Sequence, residues 1–367
     1  MRDERTLRVL DTGLRRAAGN LALNRALLEC HQEGRSPHTL RFLRFQPSAL
    51  VGFHQNVDQE LLPDVCRAEG IDIQRRITGG GAIYFDPTQI GWELYLDRRF
   101  LGTADMEAIA GRICRAAAEG IRRLGVDAHY RPRNDIEVDG RKISGTGGAF
   151  DGDSILYQGT LLLDFDVERM LRVLRIPAEK LSDKAIASAR DRVANLKDLL
   201  GGLPPLDRVH QALAGAFAEA FGVDAVPGEL NAAEQARFRE ALAEMDTPEW
   251  IYQRNRPVSD APLLEGVHRC PGGLMRAGLI LDRDRGRIAQ AWITGDFFTH
   301  PRRMVADLEA ALRGIPVAEL EPTVHAFFDG YRVEMLHLTR EDFLQVLRQA
   351  LEADQAPGTG QDAHAVG

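Results

Sequence analysis

Cysteine is scarce in this sequence, and the scarcity excludes several classes of protein. Only four occur in 367 residues, Cys30, Cys66, Cys114 and Cys270, with no C-x-x-C pair and no clustered histidines. Neither a zinc site nor a disulfide framework is indicated, and a reducing compartment fits. Positive charge is not in excess: 46 Lys and Arg stand against 54 Asp and Glu, giving a net charge of −8 and a pI near 5.7. That balance argues against a protein whose main task is coating nucleic acid. No run of 18 apolar residues occurs, and the opening MRDERTLRVLDTG is charged and lacks an apolar core of signal-peptide length. The expectation is a cytoplasmic protein with no membrane and no nucleic-acid partner. Phosphate fingerprints are missing too: there is no G-x-x-x-x-G-K-[ST], and the glycine triplet leads into the β-like run AIYF rather than a helix. Any use of ATP must go by another route than a P-loop or a Rossmann turn.

What is present is the composition of a globular protein, 44% hydrophobic and 27% charged, long enough for two unequal domains. A strand around Leu7–Leu10 precedes apolar residues at helical spacing over Leu14–Glu33, stopped by Gly34. Leu40–Phe45, Ala49–Gly52, Ile71–Arg76 and Ile90–Leu96 read as strands, and Leu61–Glu69 as a short helix. Met106–Leu124 repeats Ile109, Ile113, Ala116, Ala117, Ile121 and Leu124 on one helical face, with Thr103 as the expected cap. A strand-rich block runs to Phe165, followed by helices at Val167–Leu174, Val209–Phe221 and Ala232–Met245. The polar, proline-bearing DTPEWIYQRNRP suggests a boundary, so the expected organisation is a domain over 1–245, a linker over 246–256, a small domain over 257–352 and a disordered tail over 353–367. In the small domain, strands are expected at Leu274–Leu281 and Ile288–Thr294 and a helix at Met304–Leu312.

The most unusual stretch is Ile71–Asp86, IDIQRRITGGGAIYFD. Three consecutive glycines between strands are entropically costly and call for close approach by a ligand or another backbone. Arg75 and Arg76 would offer forked donors to a carboxylate or phosphate beside that bare backbone. The plain alternative is a tight turn with a solvated basic flank.

A second unusual stretch is Asn134–Ser144, NDIEVDGRKIS, whose Asp139-Gly140 is a strong signal for a two-residue hairpin turn. That turn sets Val138 opposite Arg141, Glu137 opposite Lys142, Ile136 opposite Ile143 and Asp135 opposite Ser144. By the period of two, Asp135, Glu137, Lys142 and Ser144 share a polar face and Ile136, Val138 and Ile143 an apolar one. A solvent-exposed hairpin with a Glu137–Lys142 pair worth under about 1 kcal/mol is the alternative. The glycine-rich GTGGAF, Gly145–Phe150, follows at once. For His54 and His129, structural or surface roles are expected, because no second ligand sits at metal spacing.

Taken together, RRITGGGAIYFD, RNDIEVDGRKISGTGGAF, YQGTLLLDFD and SARDRVANLKDLL, preceded by NLALNRALLE and LVGFHQN, resemble the lipoate-protein ligase A family, and GGLMRAGLILDRDRGRIAQAWITGDFF resembles its small accessory domain. The resemblance implies a biotin/lipoate-ligase-like α/β (α+β) catalytic domain, with a mixed sheet and flanking helices, followed by a small α/β accessory domain. It implies a monomer that converts lipoate or octanoate and MgATP to an acyl-adenylate. The acyl group then passes to a lysine of a lipoyl-acceptor protein, such as a dehydrogenase E2 lipoyl domain, a glycine-cleavage H-protein or a related lipoate-binding protein. Lys142 matches the catalytic lysine. Arg76, Gly79, Gly80, Gly81, Ala82, Ile83 and Tyr84 match the positions that bind ATP and lipoyl-adenylate. Asn134 and Asp135 match an Asn-Asp pair, of which Asp135 would orient Lys142 or meet Mg²⁺ through water. The sequence departs from the family pattern at Phe85, Tyr157 and Gln158, where histidines are usual, which bears on the contacts to the acyl chain.

Two other functions compete. An octanoyltransferase on the same fold would use a cysteine thiolate and no ATP, yet VDAHYRPRND and the stretch from Gly145 to Thr160 hold no cysteine. A non-catalytic lipoate or adenylate sensor would bind without turnover.

Overall fold

Two units make up the chain, Met1–Asn255 and Arg256–Gly367. The structure is a computed structural model that describes residues 5–103, 105–132, 135–176, 183–255, 261–335 and 337–353. Beyond Ala353, the expected tail lies outside the described residues. The stretch 246–255, expected to be linker, belongs to the first unit and carries the short helix Pro248–Ile251, started by a Pro and capped by Thr247. No described helix is long and apolar enough to cross a membrane.

The first unit is built on an eight-stranded mixed sheet. Its strands are β1 (Thr6–Arg15), β2 (Thr39–Phe45), β6 (Gln89–Asp97), β7 (His129–Arg131), β8 (Asp135–Val138), β9 (Arg141–Asp151), β10 (Ser154–Leu162) and β11 (Asp224–Pro227), in the order β11-β1-β2-β6-β10-β9-β8-β7. β1 runs parallel to β11 and β2, and the remaining pairs are antiparallel. A second, three-stranded sheet, β4-β3-β5, comprises β3 (Ser48–Val51), β4 (Asp72–Arg75) and β5 (Ile83–Phe85).

Helices cover both faces of the large sheet. On one, Met106–Arg122 and Leu206–Phe221 bury Ile109, Ile113, Ala117, Ile121, Leu213 and Phe217 against Trp92, Leu94 and Ile155. The periodic positions read from the sequence are those that are buried, and a fully buried Ile is worth about 1.5–3 kcal/mol. The cap of the first of these helices is Asp105 rather than the expected Thr103: its carboxylate accepts from the amides of Glu107 and Ala108, while Thr103 Oγ1 receives the amide of Asp105. On the other face, Ala17–Gln32 packs beside Ala232–Met245 over Leu10, Tyr95 and Leu156. The latter helix starts with a capping box of Asn231 and Glu234, and Glu234 also pairs with Arg8 at 2.5 Å.

The second unit holds an antiparallel sheet of β12 (Leu264–Cys270), β13 (Gly273–Asp282) and β14 (Arg287–Gly295), with helices at Met304–Leu312, Leu320–Gly330 and Arg340–Glu352 around one core. Arg340–Glu352 lies so close to β12 that a Cβ on Gly266 would meet the carbonyl of Val346 at 2.4 Å.

Candidate active site

The glycine triplet follows β4 and is held by the residues that deliver it. Gly80 has φ +94, a conformation open to glycine. Behind it stands Gly52, where a Cβ would lie 2.1 Å from the Gly80 carbonyl oxygen, so two backbones pack without side chains between them. The amide of Phe53 donates to the carbonyl of Thr78 at 2.9 Å, fixing LVGFHQN as one wall of the loop.

Both arginines are buried here, which corrects the expectation that they present open forks to a ligand. Arg75 donates to the carbonyls of Gly52, Phe53 and Gln55 at 3.0, 2.9 and 2.6 Å, and to those of Trp250 and Ile251 at 3.2 and 2.8 Å. It is the pin that joins three chain segments. Arg76 donates to the carbonyls of Gly79 and Gly81 at 3.1 and 2.9 Å and so sets the shape of the triplet. Among the described residues no carboxylate pairs with either. Burial lowers the Arg75 pKa to about 9, with Arg254 adding to it, and burial alone lowers that of Arg76 to about 10. The loop is thus backed by two cations whose charge is uncompensated, a setting that favours an incoming anion.

In the hairpin, Asp139 and Gly140 take φ +51 and +74, and Glu137 pairs with Lys142 as the turn dictates. Beyond that pair the expected register fails. Ile143 is an extra residue in β9, so Ile136 faces Ser144 and Asp135 faces Gly145. The cause is the backbone of Lys142, which donates to the carbonyl of Arg192 at 2.8 Å and accepts from the amide of Ala194 at 2.8 Å. This clamp comes from SARDRVANLKDLL and bulges the strand. Ser144 therefore turns inward and is fully buried, leaving the polar face it was expected to share. Glu137 pairs with Arg131 at 2.6 Å instead of Lys142.

Lys142 reaches Asp135. Its Nζ lies 2.7 Å from Asp135 Oδ1, a close charge pair not aligned as a hydrogen bond. To get there the side chain crosses Gly145, where a Cβ would stand 2.8 Å from both Cε and Nζ. GTGG thus supplies the bare surface on which the lysine lies.

β10 joins the two halves. Gln158 and Thr160, two apart, lie on one face: Gln158 donates to Thr78 Oγ1 at 3.4 Å, at the edge of the glycine loop, and Thr160 Oγ1 accepts from the Gly145 amide at 3.2 Å, beneath the lysine. Gln158 also stands opposite Glu93 of β6. Glu93 anchors a buried polar network: it accepts from Arg41 at 3.0 Å, Asn24 at 2.5 Å and Tyr95 at 2.7 Å, and Asn20 Oδ1 accepts from Arg41 at 2.7 Å. Asn20 and Asn24, one helical turn apart in NLALNRALLE, supply its helix side.

The opposite face of β10 is core. Tyr157 is buried, and its hydroxyl contacts Cys114 Sγ at 3.3 Å and Thr146 Oγ1 at 3.1 Å; burial pushes both the phenol and the thiol up. Of the three departures from the family pattern, Tyr157 and Phe85 are thus core residues, Phe85 packing on Phe45 with ring centroids 4.6 Å apart, and Gln158 alone is on the site face. Ala82 and Ile83 are half-buried, while Tyr84 is buried with its hydroxyl on Asp86 at 3.1 Å. Asn134 lies outside the described residues. His54 is buried in the 52–56 wall, and His129 is exposed beside Asp127 at 3.0 Å.

A mixed sheet flanked by helices, with a lysine hairpin and a glycine loop on one side, is the architecture of the biotin/lipoate ligase superfamily. The chain belongs within it to the lipoyl protein ligase A/B family, whose catalytic-domain model matches residues 16–218, more than half of the chain. An octanoyltransferase LipM of Kyrpidia tusciae is 30% identical over 273 residues, covering 68% of this chain and 99% of that protein. The lipoate-protein ligase LplJ of Bacillus subtilis is 28% identical over 315 residues, covering 84% of this chain and 90% of the relative. Among solved structures, a lipoate-protein ligase A bound with ATP aligns with a TM-score of 0.59 and 26% identity, over 69% of this chain and 99% of that one.

Proposed function

We propose that the protein is an ATP-dependent lipoate-protein ligase. It activates lipoate or octanoate with ATP to the acyl-adenylate, releasing pyrophosphate, and transfers the acyl group to the amine of a lysine on a lipoyl-acceptor domain, releasing AMP and a proton. The observation that carries this reading is Lys142, laid over Gly145 and tied through β10 to a glycine loop backed by two uncompensated guanidinium groups. Arg76, Gly79, Gly80 and Gly81 cradle the phosphates through backbone and buried charge, and the backbone of Ala82, Ile83 and Tyr84 continues that wall. Lys142 holds the carboxylate of the acid against the α-phosphate and stabilises the negative charge that develops as the acyl–phosphate bond forms and, later, breaks. Asp135 keeps the ammonium in place. With Oδ1 on Lys142, its other oxygen would be the one left to meet Mg²⁺, which would offset the phosphate charge. The ATP-bound relative supports the nucleotide, and a cytoplasmic setting, where ATP is abundant, goes with this reading.

The octanoyltransferase relative supports a second reading, transfer from an acyl carrier through a cysteine. The thiols of the first unit do not fit it: Cys30, Cys66 and Cys114 are buried, and burial raises all three, Cys66 to about 11. Incubation with ATP, Mg²⁺ and lipoate or octanoate plus a lipoyl domain, followed by mass measurement, separates the readings. An acyl gain that requires ATP supports the ligase. A gain from octanoyl-carrier protein without ATP overturns it.

A further inference from the structure

His268, Cys270 and Asp342 are brought together in the second unit, and nothing in the acyl-transfer chemistry uses them. His268 and Cys270 are two apart on β12, so they share the face on which the helix Arg340–Glu352 packs, and Asp342 sits in the first turn of that helix. One ring nitrogen, the thiol sulfur and one carboxylate oxygen all lie within 4.8 Å of one another, and all three residues are half-buried. His268 Nε2 is 3.0 Å from Asp342 Oδ1.

The group is held as a ligand set is held. The other carboxylate oxygen of Asp342 accepts from the amide and the hydroxyl of Thr339, each at 2.8 Å, which fixes the direction of Oδ1. Cys270 opens the turn Pro271-Gly272 and closes on Gly273, whose carbonyl is 3.4 Å from Sγ.

We propose that His268, Cys270 and Asp342 bind a zinc ion, with water in the fourth position. A tetrahedral zinc site with bonds of about 2.0–2.3 Å sets its ligand atoms about 3.3–3.6 Å apart; the 3.0 Å His268–Asp342 contact opens by a few tenths of an ångström to reach this, and the thiol sulfur, within 4.8 Å of both, draws in to the same spacing. A thiolate and an imidazole select zinc over magnesium or calcium, which prefer oxygen ligands. On binding, the Cys270 thiol proton leaves to solvent, and the imidazole proton that Nε2 shares with Asp342 in the empty site moves to Nδ1, which frees Nε2 for the metal. The ion then ties β12 to the first turn of the helix.

The test uses the full chain without an affinity tag, stripped with a chelator and titrated with Zn²⁺ against a coloured competitor, then with Co²⁺. Expected are one ion per chain and a thiolate-to-cobalt charge-transfer band. Cys270→Ser should lose the band and bind Zn²⁺ at least roughly 100-fold more weakly, as a direct ligand counts for no less than its supporting partners. His268→Gln serves as a second variant, and circular dichroism of the metal-free proteins verifies that both fold. Wild-type protein that binds Zn²⁺ no better than folded Cys270→Ser or His268→Gln, or that binds Co²⁺ without the band, overturns the proposal. Without the metal the trio is only a capped helix end with a neighbouring thiol.

Discussion

A Cβ placed on Gly145 would stand 2.8 Å from both Cε and Nζ of Lys142, so the lysine crosses bare backbone of its own strand on the way to Asp135. The atoms it would strike are the free end of a flexible chain. Gly145→Ala is therefore expected to melt within about 1 kcal/mol of wild type while adenylate formation falls at least roughly tenfold, because the ammonium moves. Melting and pyrophosphate release check it; full activity would show that the lysine's path is unimportant.

Gly52 makes the opposite expectation. There the added Cβ would meet the Gly80 carbonyl oxygen at 2.1 Å, backbone against backbone. Gly52→Ala should lose stability, by about 2 kcal/mol or more, together with nucleotide binding. Chemical denaturation with and without ATP measures both.

Asp135 acts through the lysine, so Asp135→Asn should lower kcat by roughly 10–100-fold and leave KM for ATP little changed. An increase confined to KM would instead make Asp135 a nucleotide or Mg²⁺ ligand.

The buried guanidinium groups give a pH signature. Their folded pKa values, about 9 for Arg75 and about 10 for Arg76, lie below the free value of 12.5. Below about pH 9 both are charged in the folded and unfolded states, and the desolvation cost is present in full. As pH rises through 9 and 10 the folded state releases protons that the unfolded state still holds, and this cost is relieved. The phosphates of ATP lie in the field of these charges, beside Arg76 and in front of the pinned Arg75, so the rise in melting temperature that it produces should be large at pH 7.5 and shrink above pH 9. An unchanged rise at pH 10 would mean that the phosphates bind elsewhere.

At pH 8 a thiol with a pKa near 11 is ionised to about one part in a thousand, so Cys66 should resist iodoacetamide in the native protein, as should the buried Cys30 and Cys114. Cys270 should react first. Ligation that survives this treatment fits a reaction without a cysteine nucleophile; its loss, with modification mapped to Cys114, would favour acyl transfer through a thiol.

Much of this was legible in the chain. Helical spacing located Met106–Arg122 and Ala232–Met245, and Asp139-Gly140 placed the hairpin turn and set Glu137 across the strands from Lys142, because those signals are local. The register past Lys142 was not legible, since the bulge at Ile143 is made by residues 192–194 arriving from elsewhere in the chain. Arg75 misled for the same reason: its five carbonyl acceptors belong to segments on both sides of the sequence, and only their assembly turns an apparent ligand clamp into a pin. The trio at Cys270 was hidden too, for H-R-C becomes a ligand pair only when the last helix brings Asp342 to it.

The most direct measurement is lipoate-dependent exchange of pyrophosphate into ATP by wild type and by Lys142→Ala, with circular dichroism confirming that the variant folds. Exchange in the wild type that requires lipoate and vanishes in folded Lys142→Ala is the expected result. Exchange at the wild-type rate in that variant, or none in wild type with either acid, would contradict the site described at Lys142 and the glycine loop.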